Sequence, residues 1–178
     1  MTSVRKTISK SKELPIEDAV ILLETLRDLY NKPDTSPELK GIITRTLVKD
    51  VLYDLSENRS ANLVSEDALK LWQDNNLTSK FGELKKLSVS TQRYNKQKYG
   101  ILKNFILEHS NPLSELIKRI FIGPEDIRNI LEHELITTWI TKAEDNELND
   151  KGFRSKRKFS HLGDWRLCYD ECKIIVRD

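Results

Sequence analysis

The sequence predicts an all-α protein: an irregular bundle of about seven or eight helices that contains a helix-turn-helix, with a short C-terminal strand or docked tail. Apolar residues recur at helical spacing in nearly every segment. Only 6 Gly and 5 Pro are available for turns, which are few for an all-β fold. Charged residues make up 33% of the chain and hydrophobic residues 38%, a balance typical of amphipathic helices with solvated outer faces.

Length and charge placement indicate one helical domain with two basic ends. We expect residues 1–13 to form a basic disordered tail, residues 14–142 the helical domain, and residues 143–178 a basic C-terminal appendage packed on the bundle. The net charge is only +2, so attraction to a polyanion must come from local clusters. The chain shows no leader peptide and no apolar run of about 18 residues, which predicts a cytoplasmic or nucleoid-associated protein without a membrane partner.

Capping residues predict where the first three helices begin. Pro15 opens the first helix, Ser36 caps the second, and Ser65 caps the third. The helices at 15–30 and 37–56 have wide apolar faces and should pack antiparallel as a hairpin. Four side chains widen these faces beyond what one partner helix covers: Leu22, Leu29, Val48 and Leu55. A homodimer or a protein partner is therefore expected to dock on these helices.

The stretch Phe81–Phe105 departs from the mixed charge of the rest of the chain. From Lys85 through Leu107 there are six Lys or Arg and no Asp or Glu. A short helix, a break at Ser88-Val89-Ser90 and a long helix capped by Ser90 predict a helix-turn-helix whose second helix projects its polar first half. Six side chains of that half are of types that bond bases and phosphates: Thr91, Gln92, Arg93, Asn95, Lys96 and Lys98. The alternative is a plain turn between two bundle helices with a solvated basic face.

A second basic segment, at 151–159, holds five Lys or Arg and no acid. Phe153 and Phe159 flank its cations, and aromatic rings beside Lys and Arg suit base stacking and phosphate binding. Four further nucleic-acid-binding residues are predicted here: Arg154, Lys156, Arg157 and Lys158. A solvated loop is the alternative.

The C-terminal half continues the helical pattern. Short helices are expected from Leu113 to Ile120 and from Trp165 to Cys172. Between them, the apolar spacing from Ile127 to Trp139 predicts one inward helix face. The segment Ile174–Val176 is expected to be a lone strand or a docked tail.

Groups that carry chemistry are few, so no catalytic residue, metal ligand or cofactor is predicted. Asp164, Glu171 and Lys173 have a spacing similar to that of metal-dependent nucleases, but the predicted fold has no sheet to hold them. Cys168, Cys172 and His161 fall short of the four ligands of a structural zinc site. The predicted function is DNA or RNA binding by a regulatory or accessory protein that uses the helix after Ser90. The alternative is a helical adaptor or inhibitor without catalysis, and a nuclease comes third.

Overall fold

Helices and a four-stranded sheet together form the fold, so the all-α prediction is wrong. The computed structural model describes residues 14–57, 60–123, 125–153 and 164–178. The strand order in the sheet is β2-β3-β1-β4. The strands are β1 Leu63–Ser65, β2 Phe105–His109, β3 Thr137–Thr141 and β4 Val176–Arg177.

The described helices range from single turns to four and a half turns. In chain order they are α1 Ile16–Asn31, α2 Pro37–Ile42, α3 Lys49–Glu57, α4 Glu66–Asp74, α5 Thr78–Phe81, α6 Val89–Asn95, α7 Leu113–Ile122, α8 Ile127–Asn129, α9 Lys142–Asp150 and α10 Arg166–Glu171. π-Helical turns at Ile43–Val48 and Ile130–Glu134 join α2 to α3 and extend α8. Short 3₁₀ segments occur at Leu84–Lys86 and Gly100–Asn104. Two of the predicted caps are confirmed: the hydroxyls of Ser36 and Ser65 accept hydrogen bonds from the N–H groups of Leu39 and Ala68.

Two segments predicted as helix are strands. The apolar residues at Phe105 and Ile106 belong to β2, and Trp139 lies in the centre of β3. Four of the five residues of β3 are β-branched, which favours a pleated backbone over a helix. All five are buried, so the strand lacks the alternation of polar and apolar residues that marks a half-exposed strand in a sequence.

Pairings between distant segments hold the sheet together. β3 is parallel to β1, with Leu63 opposite Thr138, and antiparallel to β2, with Leu107 opposite Trp139. β4 joins the other edge of β1 in antiparallel orientation, which places the end of the chain in the sheet instead of leaving it as a lone strand.

Both faces of the sheet are covered. Trp139 packs with Trp72 and Phe105 on one face, while its neighbour Ile140 packs with Tyr169 on the other. Successive residues of a strand point to opposite faces, so this single strand anchors two cores.

A third core lies among α1, α3, α7 and α8. Val48 and Leu55 are 0% and 2% exposed there, so they are covered by this chain's own helices and do not widen a docking face as predicted. Five apolar side chains of the same region remain exposed: Ile21, Leu22, Leu39, Ile42 and Leu47.

Candidate functional site

Helix α6 is too short for the predicted helix-turn-helix. It is capped by Ser88, whose hydroxyl accepts from the N–H of Thr91 at 3.2 Å, so the predicted cap at Ser90 is wrong. α6 ends at Asn95 after seven residues, and the chain continues through a 3₁₀ segment into β2. A groove-reading motif needs a longer second helix docked across the first. The helix-turn-helix prediction is therefore wrong.

Three of the predicted binding residues hydrogen-bond their own chain. Gln92 donates through Nε2 to the carbonyls of Leu102 and Phe105 at 3.0 and 2.6 Å, which anchors α6 to β2. Thr91 Oγ1 accepts from the Ser88 hydroxyl at 2.8 Å, and Asn95 Nδ2 donates to the Thr91 carbonyl at 2.8 Å. These side chains shape the helix and are not presented as a row of base-reading groups.

Arg93 has a carboxylate partner that the local sequence did not reveal. Its Nη2 lies 3.1 Å from Glu57 Oε1, and the two side chains are 63% and 28% exposed. Glu57 ends α3, which is remote from α6 in sequence. The expectation that no acid neutralises this stretch therefore fails at Arg93.

The other two predicted residues of this stretch, Lys96 and Lys98, are exposed cations. Lys80 and Lys98 lie over the ring of Tyr99, with their Nζ atoms 5.1 and 5.3 Å from its centroid. Tyr94, near the end of α6, is 87% exposed. No carboxylate within the described parts of the chain pairs with these lysines. We call Lys80, Tyr94, Lys96 and Lys98 the basic surface.

The second predicted binding segment cannot be compared with the structure. Arg154, Lys156, Arg157 and Lys158 lie outside the described residues. Phe153, which precedes them, is 1% exposed and packs in the core that contains Tyr169. It therefore belongs to the interior and offers no stacking surface.

A cleft that was not predicted from the sequence lies beside β2. Its volume is about 670 Å³, within the range of roughly 300–1,000 Å³ that is typical of ligand sites. β2, the helical region from Thr44 to Tyr53 and the start of α7 form its walls. Cations, carboxylates and apolar side chains all line it, among them Arg45, Lys49, Tyr53, Glu108, His109 and Leu113.

The register of the sheet leaves main-chain groups open at this cleft. The N–H of Ser110 donates to the carbonyl of Ile136 at 2.9 Å, so the even-numbered residues of β2 bond to β3. The odd-numbered residues then turn their N–H and C=O groups away from β3. Phe105 does so, since its carbonyl accepts from Gln92. The N–H and C=O of Leu107, which lines the cleft, consequently lie on the open edge of the sheet.

A buried hydrogen-bond network supports one wall of the cleft. The Tyr169 hydroxyl donates to Glu108 Oε2 at 2.6 Å and lies 3.1 Å from Ser110 Oγ, which in turn lies 2.9 Å from Thr138 Oγ1. Burial, and then the charge of Glu108, raise the pKa of Tyr169 well above its usual value. The phenol therefore stays protonated and holds the Glu108 carboxylate in place.

His109 is a neutral member of the same wall. Its Nε2 lies 2.9 Å from Ser56 Oγ, and its ring meets the edge of Tyr53 at a centroid distance of 5.6 Å. Burial lowers the pKa of His109 to about 4. At neutral pH the ring therefore contributes hydrogen-bonding capacity without charge.

Two cations at the cleft have no carboxylate partner among the described residues. Arg45 donates only to the carbonyl of Gly41, at 3.3 Å, and Lys49 lies over the ring of Tyr53. By contrast, Lys142 is paired at 2.7 Å with Asp145, a buried carboxylate that also lines the cleft. Arg45 and Lys49 therefore provide a positive end to the cleft.

The cleft continues towards α6. A smaller groove of about 270 Å³ shares Tyr53, Leu107 and His109 with the cleft and extends to Gln92 and Arg93 on α6. The groove therefore joins the cleft to Gln92 and Arg93 on α6.

Of the other candidates from the sequence, His161 lies outside the described residues. Glu171 is the last residue of α10 and Lys173 lies in the exposed turn that follows, so neither is on a strand. Within the described ranges no group of three or more His, Cys, Asp or Glu is placed to hold a metal ion. No described helix has both the length and the apolarity required to span a bilayer.

Comparisons with family models, curated proteins and solved structures gave no match.

Proposed function

We propose that the protein binds single-stranded nucleic acid through the basic surface and has a regulatory or accessory role. The observation that carries this proposal is the solvent-exposed Tyr94, two and four residues before Lys96 and Lys98, which no described carboxylate neutralises. Ammonium groups bond phosphates irrespective of sequence, and an exposed aromatic ring can stack on an unpaired base.

The geometry favours a single strand over a duplex. In a duplex the bases are stacked on each other, so Tyr94 would find no free base. Gln92 and Asn95 donate to main-chain carbonyls and Thr91 accepts from the Ser88 hydroxyl, so α6 has few groups left to read base edges in a groove. Recognition would rest on phosphate contact and stacking, with modest sequence preference.

The test is binding of a fluorescent single-stranded oligonucleotide to variants of the basic surface. Lys96→Glu with Lys98→Glu should remove most of the binding, because it replaces two attractions by two repulsions. Tyr94→Ala should cost about 1–3 kcal/mol if one base stacks on the ring. The matched control is Lys32→Glu with Lys173→Glu, which changes the net charge equally at exposed lysines outside α5 and α6. Equal loss in both double variants would reject a localised site.

A second candidate is docking of a protein partner on the N-terminal helices. It is favoured by Ile21 and Ile42, which are 63% and 53% exposed, with Leu47 at 42%. Light scattering with and without Ile42→Lys tests self-association. A parent that is monomeric at all concentrations would leave only a different protein as the occupant of this face.

A further inference from the structure

We propose that the cleft beside β2 binds one nucleotide, with its phosphate at Arg45 and Lys49 and its base against the β2 wall. This inference rests on the proposed function in one respect: the nucleotide belongs to the bound single strand, and its base is turned out of the strand into the cleft. A free mononucleotide carries the same chemistry and serves as the probe.

The anionic end of the ligand follows from the charge at one end of the cleft. Arg45 and Lys49 lie one helical turn apart, both are exposed, and neither is paired with a carboxylate in the described chain. Most other arginines of the described ranges have acidic partners, as in the Arg119–Glu134 and Arg128–Glu132 pairs. A guanidinium beside an ammonium is a common arrangement for binding a phosphate.

The other end of the ligand follows from the β2 wall. Glu108 lines the cleft, is 7% exposed and accepts from Tyr169 at Oε2, so its carboxylate has a fixed position in this wall. The open N–H and C=O of Leu107 supply one donor and one further acceptor. Such a wall favours a ligand with hydrogen-bond donors, such as a base that carries an exocyclic amino group.

The space between the two ends is suited to a flat ring. Tyr53, Leu113 and Ile117 give the cleft an apolar lining, and its volume of about 670 Å³ exceeds the needs of a single phosphate. Uncharged His109 completes the wall without adding a cation at the base end. The groove that links the cleft to Gln92 and Arg93 provides a route for the strand towards α6.

The experiment is calorimetric titration of the full chain with adenosine, AMP, CMP, UMP and inorganic phosphate. AMP and CMP should bind, and UMP should bind at least about tenfold more weakly, because it lacks the amino group that bonds the Glu108 carboxylate. Adenosine and phosphate alone should each be at least about tenfold weaker than AMP. Arg45→Gln with Lys49→Gln should weaken AMP binding by about a hundredfold; both side chains are exposed, so the fold should persist.

The outcomes separate this inference from the proposed function. Lys96→Glu with Lys98→Glu should weaken oligonucleotide binding while AMP binding stays unchanged. If AMP gives no heat at about 1 mM while oligonucleotides bind, the cleft assignment is wrong and the basic surface stands. If AMP binds and oligonucleotides do not, the cleft is a site for free nucleotides and the basic surface is not an interface. Equal binding of AMP and UMP, or full AMP binding by the Arg45 and Lys49 variant, would overturn the orientation proposed here.

Discussion

The basic surface and the cleft differ in how their charged groups are held. On the basic surface, Lys96 and Lys98 are exposed and lack carboxylate partners in the described chain. In the cleft, Glu108 and His109 are largely buried and fixed by Tyr169 and Ser56. Exposed charges interact weakly, additively and in a salt-dependent way, whereas buried networks are strongly coupled and pH-dependent. The first region should therefore tolerate substitution with little loss of stability, and the second should not.

The largest expected effect is the pH dependence that comes from His109. Its pKa is about 4 in the folded protein and 6.5 in the unfolded chain, so only the unfolded state takes up a proton between these values. The contribution of His109 to stability is complete above pH 6.5 and is lost as the pH falls towards 4, by about 3 kcal/mol. Chemical denaturation of the parent and of His109→Gln at pH 7 and near pH 4.5 measures it. The same pH dependence in both proteins would assign it to other groups.

Tyr169→Phe should have the next largest effect. It removes the phenol that donates to the buried Glu108 carboxylate, and hydrogen bonds to charged groups contribute about 1.5–3 kcal/mol. The comparison is Tyr94→Phe, which removes a hydroxyl from an 87% exposed side chain and should stay within about 0.5 kcal/mol of the parent. If the two substitutions cost the same in urea denaturation, the buried network does not stabilise the cleft.

A smaller effect is expected at the ion pair between α3 and α6. Glu57→Gln removes the partner of Arg93, and an exposed ion pair contributes about 0.2–1 kcal/mol to stability. The guanidinium of Arg93, freed from its carboxylate partner, should however tighten oligonucleotide binding, because it adds an unpaired cation on α6. Thermal unfolding and anisotropy titration measure the two effects separately. Unchanged or weaker binding would place Arg93 outside the interface.

Contacts between neighbouring residues could be predicted from the sequence, whereas contacts between distant segments could not. The caps at Ser36 and Ser65 were predictable because each hydroxyl bonds an N–H three residues ahead. The sheet was not, because Leu63 must find Thr138 and Leu107 must find Trp139, and such pairings leave no local trace. β3 is buried on both faces, so its apolar and Thr residues matched a helix face as well as a strand.

Only part of the candidate site was visible in the sequence. The exposed Lys96 and Lys98 were predicted from the run of cations without acids. The Glu57 partner of Arg93 and the inward turn of Gln92 depend on how α3 and β2 pack against α6. The cleft brings together residues from the region after α2, from β2 and from α9, and no spacing in the sequence marks them as neighbours.

The salt dependence of oligonucleotide binding tests the central claim most directly. Fluorescence anisotropy of a labelled single strand and of its duplex, repeated at several salt concentrations, gives the slope of log K against log salt. Phosphate contacts by Lys80, Lys96 and Lys98 predict a slope of about −2 for the single strand. Replacing Lys96 and Lys98 by Glu removes two of these contacts, so the magnitude of the slope should decrease by about 1.4. The single strand should bind more tightly than the duplex at every concentration. A slope near zero, or tighter binding of the duplex, would contradict the account.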